Sequence, residues 1–300
     1  MEFPEFLSEV KTWLKVIKAI SLLMGKKILV VWCRFKTEAL QIIRMEGTIM
    51  ISKKAILFLV GISLVLLIST TVVAQVTDGG YRIFRPDGPG PHPAVVFVSG
   101  CSGFAPAFAP KAYERPAEQL RGLGFVVVWA DYLGRRNLKS CAGGGITPDE
   151  AGRDAVAAAS WLRSQPYVDA KRITAMGWSY GGNAVLAALG SHSADQLIFT
   201  GAIFYYPACS GVGPWSNPIP VLVLRGGSDN VAPHSLCESV LGTGSGKANV
   251  KIIDYPGAYH IFDWPELPPK MEYPFGTVGY HPQAAAAAWE EVKRFLQSGS

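Results

Sequence analysis

From about Gln75 onward, short apolar runs alternate with longer stretches of helical periodicity. Ala94 to Val98, Phe125 to Ala130, Ile173 to Trp178, Ala202 to Tyr206, Ile219 to Leu224 and Val250 to Tyr255 are rich in Val, Ile and aromatic residues and bounded by Gly, Pro, Asn and Asp. Such runs read as strands buried on both faces. Pro148 to Arg163, Asn183 to Leu189 and the Ala-rich Ala284 to Leu296 read as helices between and after them. Alternation of this kind predicts an α/β domain, a mostly parallel sheet with helices on both faces. No internal repeat and no interdomain linker breaks the pattern after residue 80, so residues 75–300 are expected to form one domain with a substantial core.

One string stands out against this background. Gly177-Trp178-Ser179-Tyr180-Gly181-Gly182 follows the strand-like Arg172 to Met176 and opens the helix-like stretch at Asn183. That is the setting of a nucleophile elbow, where a serine sits on a sharp strand-to-helix turn and flanking glycines make room for strained backbone. G-x-S-x-G alone recurs by chance, so it needs partners. Asp229 follows the run ending at Leu224 and the turn-like Arg225 to Ser228, and His260 follows Val250 to Tyr255 and the loop Pro256 to Tyr259. The chain order is serine, acid, histidine, and each residue falls just past the end of a predicted parallel strand, where open α/β sheets build their sites. A serine hydroxyl needs an imidazole to take its proton, and the imidazole needs a carboxylate on its other nitrogen. Ser179, His260 and Asp229 can fill these roles. The competing readings are an ordinary turn aspartate and a satisfied loop histidine. The other histidines fit worse: His92 lies in a Pro-rich loop, His192 and His234 near helix ends, and His281 before the last helix.

Acyl transfer also needs two N–H groups aimed at the developing oxyanion. Tyr180, next after the serine, should supply one. The loop Ser99-Gly100-Cys101-Ser102-Gly103 should supply the other, from Cys101 or alternatively Ser102. Ser102, Trp178 and Arg135 are the candidates for contact with substrate. Arg135 belongs to the basic knot with Arg136 and Lys139, for which a solvated loop is the plainer reading.

At this point the chain resembles the dienelactone hydrolase family of α/β-hydrolases, over about Tyr81 to Leu296. The resemblance rests on Pro91 to Val96 leading into Gly100-Cys101-Ser102-Gly103, on Ala130-Asp131-Tyr132, the elbow, Asp229, and Tyr255-Pro256-Gly257-Ala258-Tyr259-His260-Ile261-Phe262-Asp263, and on the closing Ala-rich helix. It implies the α/β-hydrolase fold and hydrolysis of a small ester or lactone through an acyl-enzyme, without cofactor. Three departures bear on the substrate. Founding members of the family carry cysteine where this chain has Ser179, and a glutamate gating that cysteine where this chain has Gly100. A histidine common before that glycine across the superfamily is replaced by Ser99.

Charge narrows the alternatives. The net charge of +5 comes entirely from residues 1–74; residues 75–300 carry equal numbers of acidic and basic side chains. Nucleic-acid binding, which needs clustered cations, has no support in such a balanced domain. Metal binding is not expected either, since no C-x-x-C or H-x-x-x-H spacing occurs. A serine peptidase of prolyl-oligopeptidase-like type shares the elbow but would need a large additional domain. A catalytically inactive hydrolase-fold binding module is the remaining alternative, which an intact triad argues against.

The N-terminal segment follows a different logic. Lys53-Lys54, an apolar stretch from Ala55 to Ile68, and Val72 and Ala74 before a cut at Gln75 read as a signal peptide over 50–74, hence secreted or periplasmic. The same stretch is long enough to be an uncleaved membrane anchor, the one expected route to a membrane. Because an export signal belongs at the N-terminus, translation is expected to start at Met50, with Met45-Glu46-Gly47 readable as a purine-rich ribosome-binding sequence and residues 1–49 not part of the natural protein or disordered. The competing reading is a basic amphipathic helix from Phe6 to Ile20 on a membrane surface. Past the cut, Cys101, Cys141, Cys209 and Cys237 permit two disulfides in an oxidising compartment, in any of three connectivities. The expected pairs are Cys101 with Cys141 and Cys209 with Cys237, each joining a strand end to a nearby loop or helix.

Overall fold

The structure, a computed structural model, describes residues 77–298 except 79, 105–108, 191–197, 211–212 and 233. The expected export segment 50–74, the start at Met50 and the segment 1–49 lie outside the described residues. In chain order the elements are β1 (Thr77–Asp78), β2 (Tyr81–Phe84), β3 (His92–Val98), α1 (Ala109–Gly122), β4 (Val126–Trp129), α2 (Pro148–Arg163), β5 (Val168–Trp178), α3 (Tyr180–Gly190), β6 (Gly201–Tyr205), β7 (Val221–Gly226), α4 (His234–Leu241), β8 (Val250–Tyr255), β9 (Met271–Tyr273), β10 (Gly276–Val278) and α5 (Pro282–Gln297).

Eight strands form one sheet in the order β1-β2-β4-β3-β5-β6-β7-β8. The pairings of β2 with β1 and β4 are antiparallel, and all pairings from β4 through β8 are parallel. Side chains alternate between faces, and the core divides accordingly. Val96, Val98, Val126, Val128, Ala175 and Phe204 pack with α2, α3 and α4. Their neighbours of opposite parity, Val95, Phe97, Val127, Trp129, Met176 and Tyr205, pack with α1 and α5. Because β3 has β4 on one side and β5 on the other, the crossovers through α1 and α2 cover opposite faces. The C-terminal ends of β3 and β5 therefore form a topological switch point, where a crevice opens.

Strand β5 starts at Val168, earlier than the apolar run suggests. Residues 169–172 are exposed or half-buried because they lie before the buried part of the strand, and they fall in a break of register opposite His92 to Ala94 of β3. Helices α1 and α4 and the β9–β10 hairpin carry no apolar run strong enough to announce them.

Helix α2 begins at a capping box, with the Thr147 side chain accepting from Glu150 N and the Glu150 carboxylate accepting from Thr147 N. Its Ala-rich face meets α3 so closely that a Cβ on Gly152 would lie 2.8 Å from Ala188 Cβ and against the Ala184 carbonyl. Gly152→Ala therefore pits a helix-propensity gain of about 1 kcal/mol against overpacking that costs about 1–3 kcal/mol. The variant should be less stable than wild type in urea denaturation, whereas Gly122→Ala, whose added Cβ meets nothing within 4 Å, should not be.

Candidate active site

Ser179 stands between β5 and α3 with φ of 50°, a left-handed conformation that serine adopts only when its surroundings enforce it. The enforcing contacts are visible. Its N–H donates to Tyr205 O at 2.9 Å, and its carbonyl accepts the first helical bond, from Asn183 N at 3.2 Å. A Cβ on Gly177 would meet Gly182 N at 2.6 Å, and one on Gly181 would meet Val98 C at 2.6 Å. Only glycines at both positions let α3 start this close to β3 and β5.

Asp229 and His260 come from the ends of β7 and β8, and their loops interlock. Gly227 N donates to Tyr255 O at 2.7 Å and Ser228 N to Ala258 O at 2.9 Å. One carboxylate oxygen of Asp229 accepts from Val231 N at 2.9 Å and Ala232 N at 3.0 Å. The other lies 2.7 Å from His260 Nδ1, and His260 Nε2 lies 3.0 Å from Ser179 Oγ. The Asp229 and His260 side chains are almost fully buried, at 1% and 4% exposure. An ionised carboxylate only accepts, so Nδ1 carries the proton and Nε2 presents its lone pair to the serine.

The loop after β3 lies over the elbow, with Gly100 packed so that a Cβ there would be 3.7 Å from Ser179 Cβ. Two buried phenols hold it: Gly100 N donates to Tyr113 Oη at 2.8 Å, and Tyr132 Oη donates to Gly100 O at 2.8 Å. A disulfide joins Cys101 to Cys141, and Cys141 N donates to Cys101 O at 2.9 Å. The backbone N–H groups of Cys101 and Tyr180 have no acceptor among the described residues. The second disulfide joins Cys209 to Cys237, so both bridges are the expected pairs.

The remaining candidates divide. Ser102 is exposed in the same loop. Arg135 is not brought to the triad: its guanidinium stacks over Tyr81 of β2, 4.6 Å from the ring centroid. Trp178 as a substrate contact is corrected. It is 1% exposed and packs edge-on to Phe97 and stacked on Tyr205, because the residue before the serine points to the α1/α5 face. Its indole N–H donates to Asp263 at 2.9 Å. Of the other histidines, His281 caps α5 by accepting from Ala284 N at 3.2 Å, and His234 Nε2 bonds Gly226 O at 2.9 Å.

Asp263 is the polar residue that sequence reasoning passed over. Its second oxygen accepts from Tyr206 Oη at 2.6 Å, and the Tyr206 ring lies 4.6 Å from the His260 ring. Asp263 keeps some surface as a residue, but its carboxyl group lies deep among aromatic rings, and desolvation pushes its pKa up to about 6 against the opposing pull of the two hydrogen bonds and His260. The available signal was an acidic residue three positions past the histidine in an otherwise aromatic string.

The sequence model of the Dienelactone hydrolase family matches residues 80–300. The chain is 30% identical over 215 residues to an uncharacterized protein of Mycobacterium tuberculosis, covering 63% of this chain and 71% of that one. The propionate-bound structure of an esterase from Thermogutta terrifontis is similar with a TM-score of 0.54 at 18% identity, covering 73% of this chain and 88% of that one. A dienelactone hydrolase-like promiscuous phosphotriesterase from metagenomic libraries has a TM-score of 0.53 at 19% identity, covering 71% and 88%.

The raised pKa of Asp263 has a thermodynamic sign. Between the ordinary value of 3.8 and about 6, the folded protein holds a proton that the unfolded chain has lost. Stability from this group is therefore greatest below that window and falls as pH rises through it. Urea denaturation from pH 4 to 8 should show wild type losing stability relative to Asp263→Asn as pH rises to about 7, then a constant difference. A constant difference throughout would mean that the carboxyl group is not desolvated.

Proposed function

The chain belongs to the dienelactone hydrolase family and is a carboxylic ester hydrolase, and we propose that it cleaves small or medium carboxylic esters or lactones with Ser179 as nucleophile, His260 as base and Asp229 as its orienting acid. The observation that carries this reading is the continuous chain of contacts, Asp229 Oδ2 to His260 Nδ1 at 2.7 Å and His260 Nε2 to Ser179 Oγ at 3.0 Å, built from three different strand ends.

In the proposed reaction Ser179 Oγ attacks the ester carbonyl carbon while His260 Nε2 takes the hydroxyl proton. The carbonyl oxygen gains negative charge and is held by the N–H groups of Tyr180 and Cys101. Asp229 stabilises the imidazolium without taking its proton. His260 then gives that proton to the departing alkoxide, leaving Ser179 acylated. Water, deprotonated by His260, releases the acid and restores the serine. No step requires a cofactor.

Substrate size is inferred from two sides. Gly100, packed against Ser179, leaves no carboxylate beside the nucleophile of the kind that gates a cysteine in founding members of the family, which favours ordinary esters over dienelactone. The Thermogutta terrifontis esterase has structures with propionate and with butyrate, which supports short acyl groups. Function outside the cytosol, in the periplasm or secreted, is part of the proposal, and the two disulfides support it. No helix among the described residues is long and apolar enough to cross a membrane.

A fluorophosphonate probe should label Ser179 and fail to label Ser179→Ala, which separates an enzyme from an inactive binding module. Ser179→Ala, Asp229→Asn and His260→Ala should each fold and each lower kcat by roughly 10³ or more, without additivity, because the three act as a unit. Loss of activity in His281→Ala with retention in His260→Ala would assign the base to the wrong histidine. Among p-nitrophenyl esters, acetate to butyrate should exceed longer chains in kcat/KM. Preference for aminoacyl amides would replace the esterase reading with a peptidase.

A further inference from the structure

We propose that Asp263 is a positioning residue for the base, holding the Tyr206 ring against His260 and placing a second carboxylate in the base's own loop. The proposal rests on the triad assigned above and adds a group outside it.

The geometry is that of a clamp. Asp263 accepts from Tyr206 Oη at 2.6 Å and from Trp178 Nε1 at 2.9 Å, so each oxygen is held by a donor from a different strand end. Trp178 directly precedes the nucleophile. Tyr206 directly follows β6, and its ring centroid lies 4.6 Å from that of His260 with the planes inclined at 58°. Asp263 is three residues from His260 in the same loop. One carboxylate thus ties the nucleophile's strand, the ring that backs the base, and the base's own loop. Backbone strain marks the same places: besides Ser179, Tyr206 has φ of 39° and Ile261 φ of 61°. For a β-branched residue such as Ile261 this conformation is an outlier, retained where surrounding contacts over-determine it.

A neutral amide would accept one of these bonds without the desolvation penalty that a buried carboxylate carries. What the carboxylate adds is charge. Imidazolium forms only as the reaction proceeds, so a fixed negative group beside it acts on the transition state more than on the resting enzyme. The titratable groups facing Asp263 are Tyr113 from α1, Tyr205 and Tyr206 from β6 and its end, and His260 from its own loop. Burial raises all three tyrosines above their ordinary range, so they stay neutral. That leaves His260 as the neighbour whose imidazolium, formed in the proposed reaction, the carboxylate can stabilise.

The test is the pH profile of p-nitrophenyl acetate hydrolysis by wild type, Asp263→Asn and Tyr206→Phe, with folding checked by near-UV circular dichroism. Asp263→Asn should lower kcat at pH 8 by about tenfold to a hundredfold, a loss of the size that follows removal of a group orienting a metal-bound histidine, with KM changed less than about twofold. The wild-type profile should fall more steeply on the acid side than that of Asp263→Asn, because protonating Asp263, whose pKa burial raises to about 6, removes a charge that the variant lacks throughout. Tyr206→Phe, which keeps both ring and charge but cuts the link, should lower kcat by a smaller factor and keep the steep limb. The proposal is overturned if Asp263→Asn matches wild type in kcat and slope, or loses activity only in proportion to lost folded protein with the slope unchanged. If Asp263→Asn does not fold, unchanged kcat in Tyr206→Phe overturns it. Fluorophosphonate labelling separates the two levels: no labelling of wild-type Ser179 defeats the triad itself, whereas equal labelling rates in wild type and Asp263→Asn defeat this inference alone.

Discussion

The constraint on which the rest depends is the approach of α3 to the ends of β3 and β5. Gly177 and Gly181 occupy positions where a single methyl group would collide with backbone, so α3 begins directly over Val98 and Ser99. Three consequences follow from that closeness. Ser179 is forced into its left-handed turn and presents Oγ at the sheet edge. The N–H of Tyr180, the first residue of α3, is left without an acceptor among the described residues. The loop from Ser99 to Gly103 has to fold back over the elbow, which brings Gly100 beside the serine. A slightly larger separation would carry Oγ out of reach of His260, and the remaining site would have nothing to act on.

Strain at this edge is distributed. Ser179, Tyr206 and Ile261 each hold a left-handed backbone conformation that costs of order 1–3 kcal/mol, and all three lie just past a strand or within two residues of His260. Compensation comes from groups that bridge separate loops. The Cys101–Cys141 bond closes 40 residues and the Cys209–Cys237 bond 28, each of a kind that contributes about 2–4 kcal/mol. Both end close to strained or functional backbone: Cys101 in the loop over the serine, and Cys209 itself at φ of 53°. Bracing of this type fixes shape without placing charge near Ser179.

Much of this was legible in the chain because it is encoded locally. The parallel strands are continuous apolar runs, and Ser179, Asp229 and His260, the residues of the proposed triad, each follow a strand end, so the contacts among them involve residues that can be picked from the sequence. Trp178 shows where adjacency misleads. It neighbours the serine in sequence, but strand alternation gives it the parity of Met176 and Phe97, which points it at α1 and α5. Counting parity from Phe97 would have placed it correctly. Arg135 is decided by tertiary context, since stacking on Tyr81 depends on where β2 lies relative to the turn at Gly134–Arg136. Asp263 is legible only as the end of the string from Tyr255, without a role, because its partners, Tyr206 and Trp178, are 57 and 85 residues away and share no pattern with it.

The loop over Ser179 is ordered by neutral groups. Ser99 and Gly100 offer it neither ring nor carboxylate. Tyr113 and Tyr132 order it with their hydroxyls, one accepting from Gly100 N and the other donating to Gly100 O. Burial raises the pKa of both phenols above the ordinary tyrosine range, so these bonds persist unchanged wherever the protein is folded. The two groups that hold the loop of the proposed oxyanion site therefore keep their protons, whereas the Asp263 carboxyl group, its pKa raised by burial to about 6, sits in the loop that carries His260.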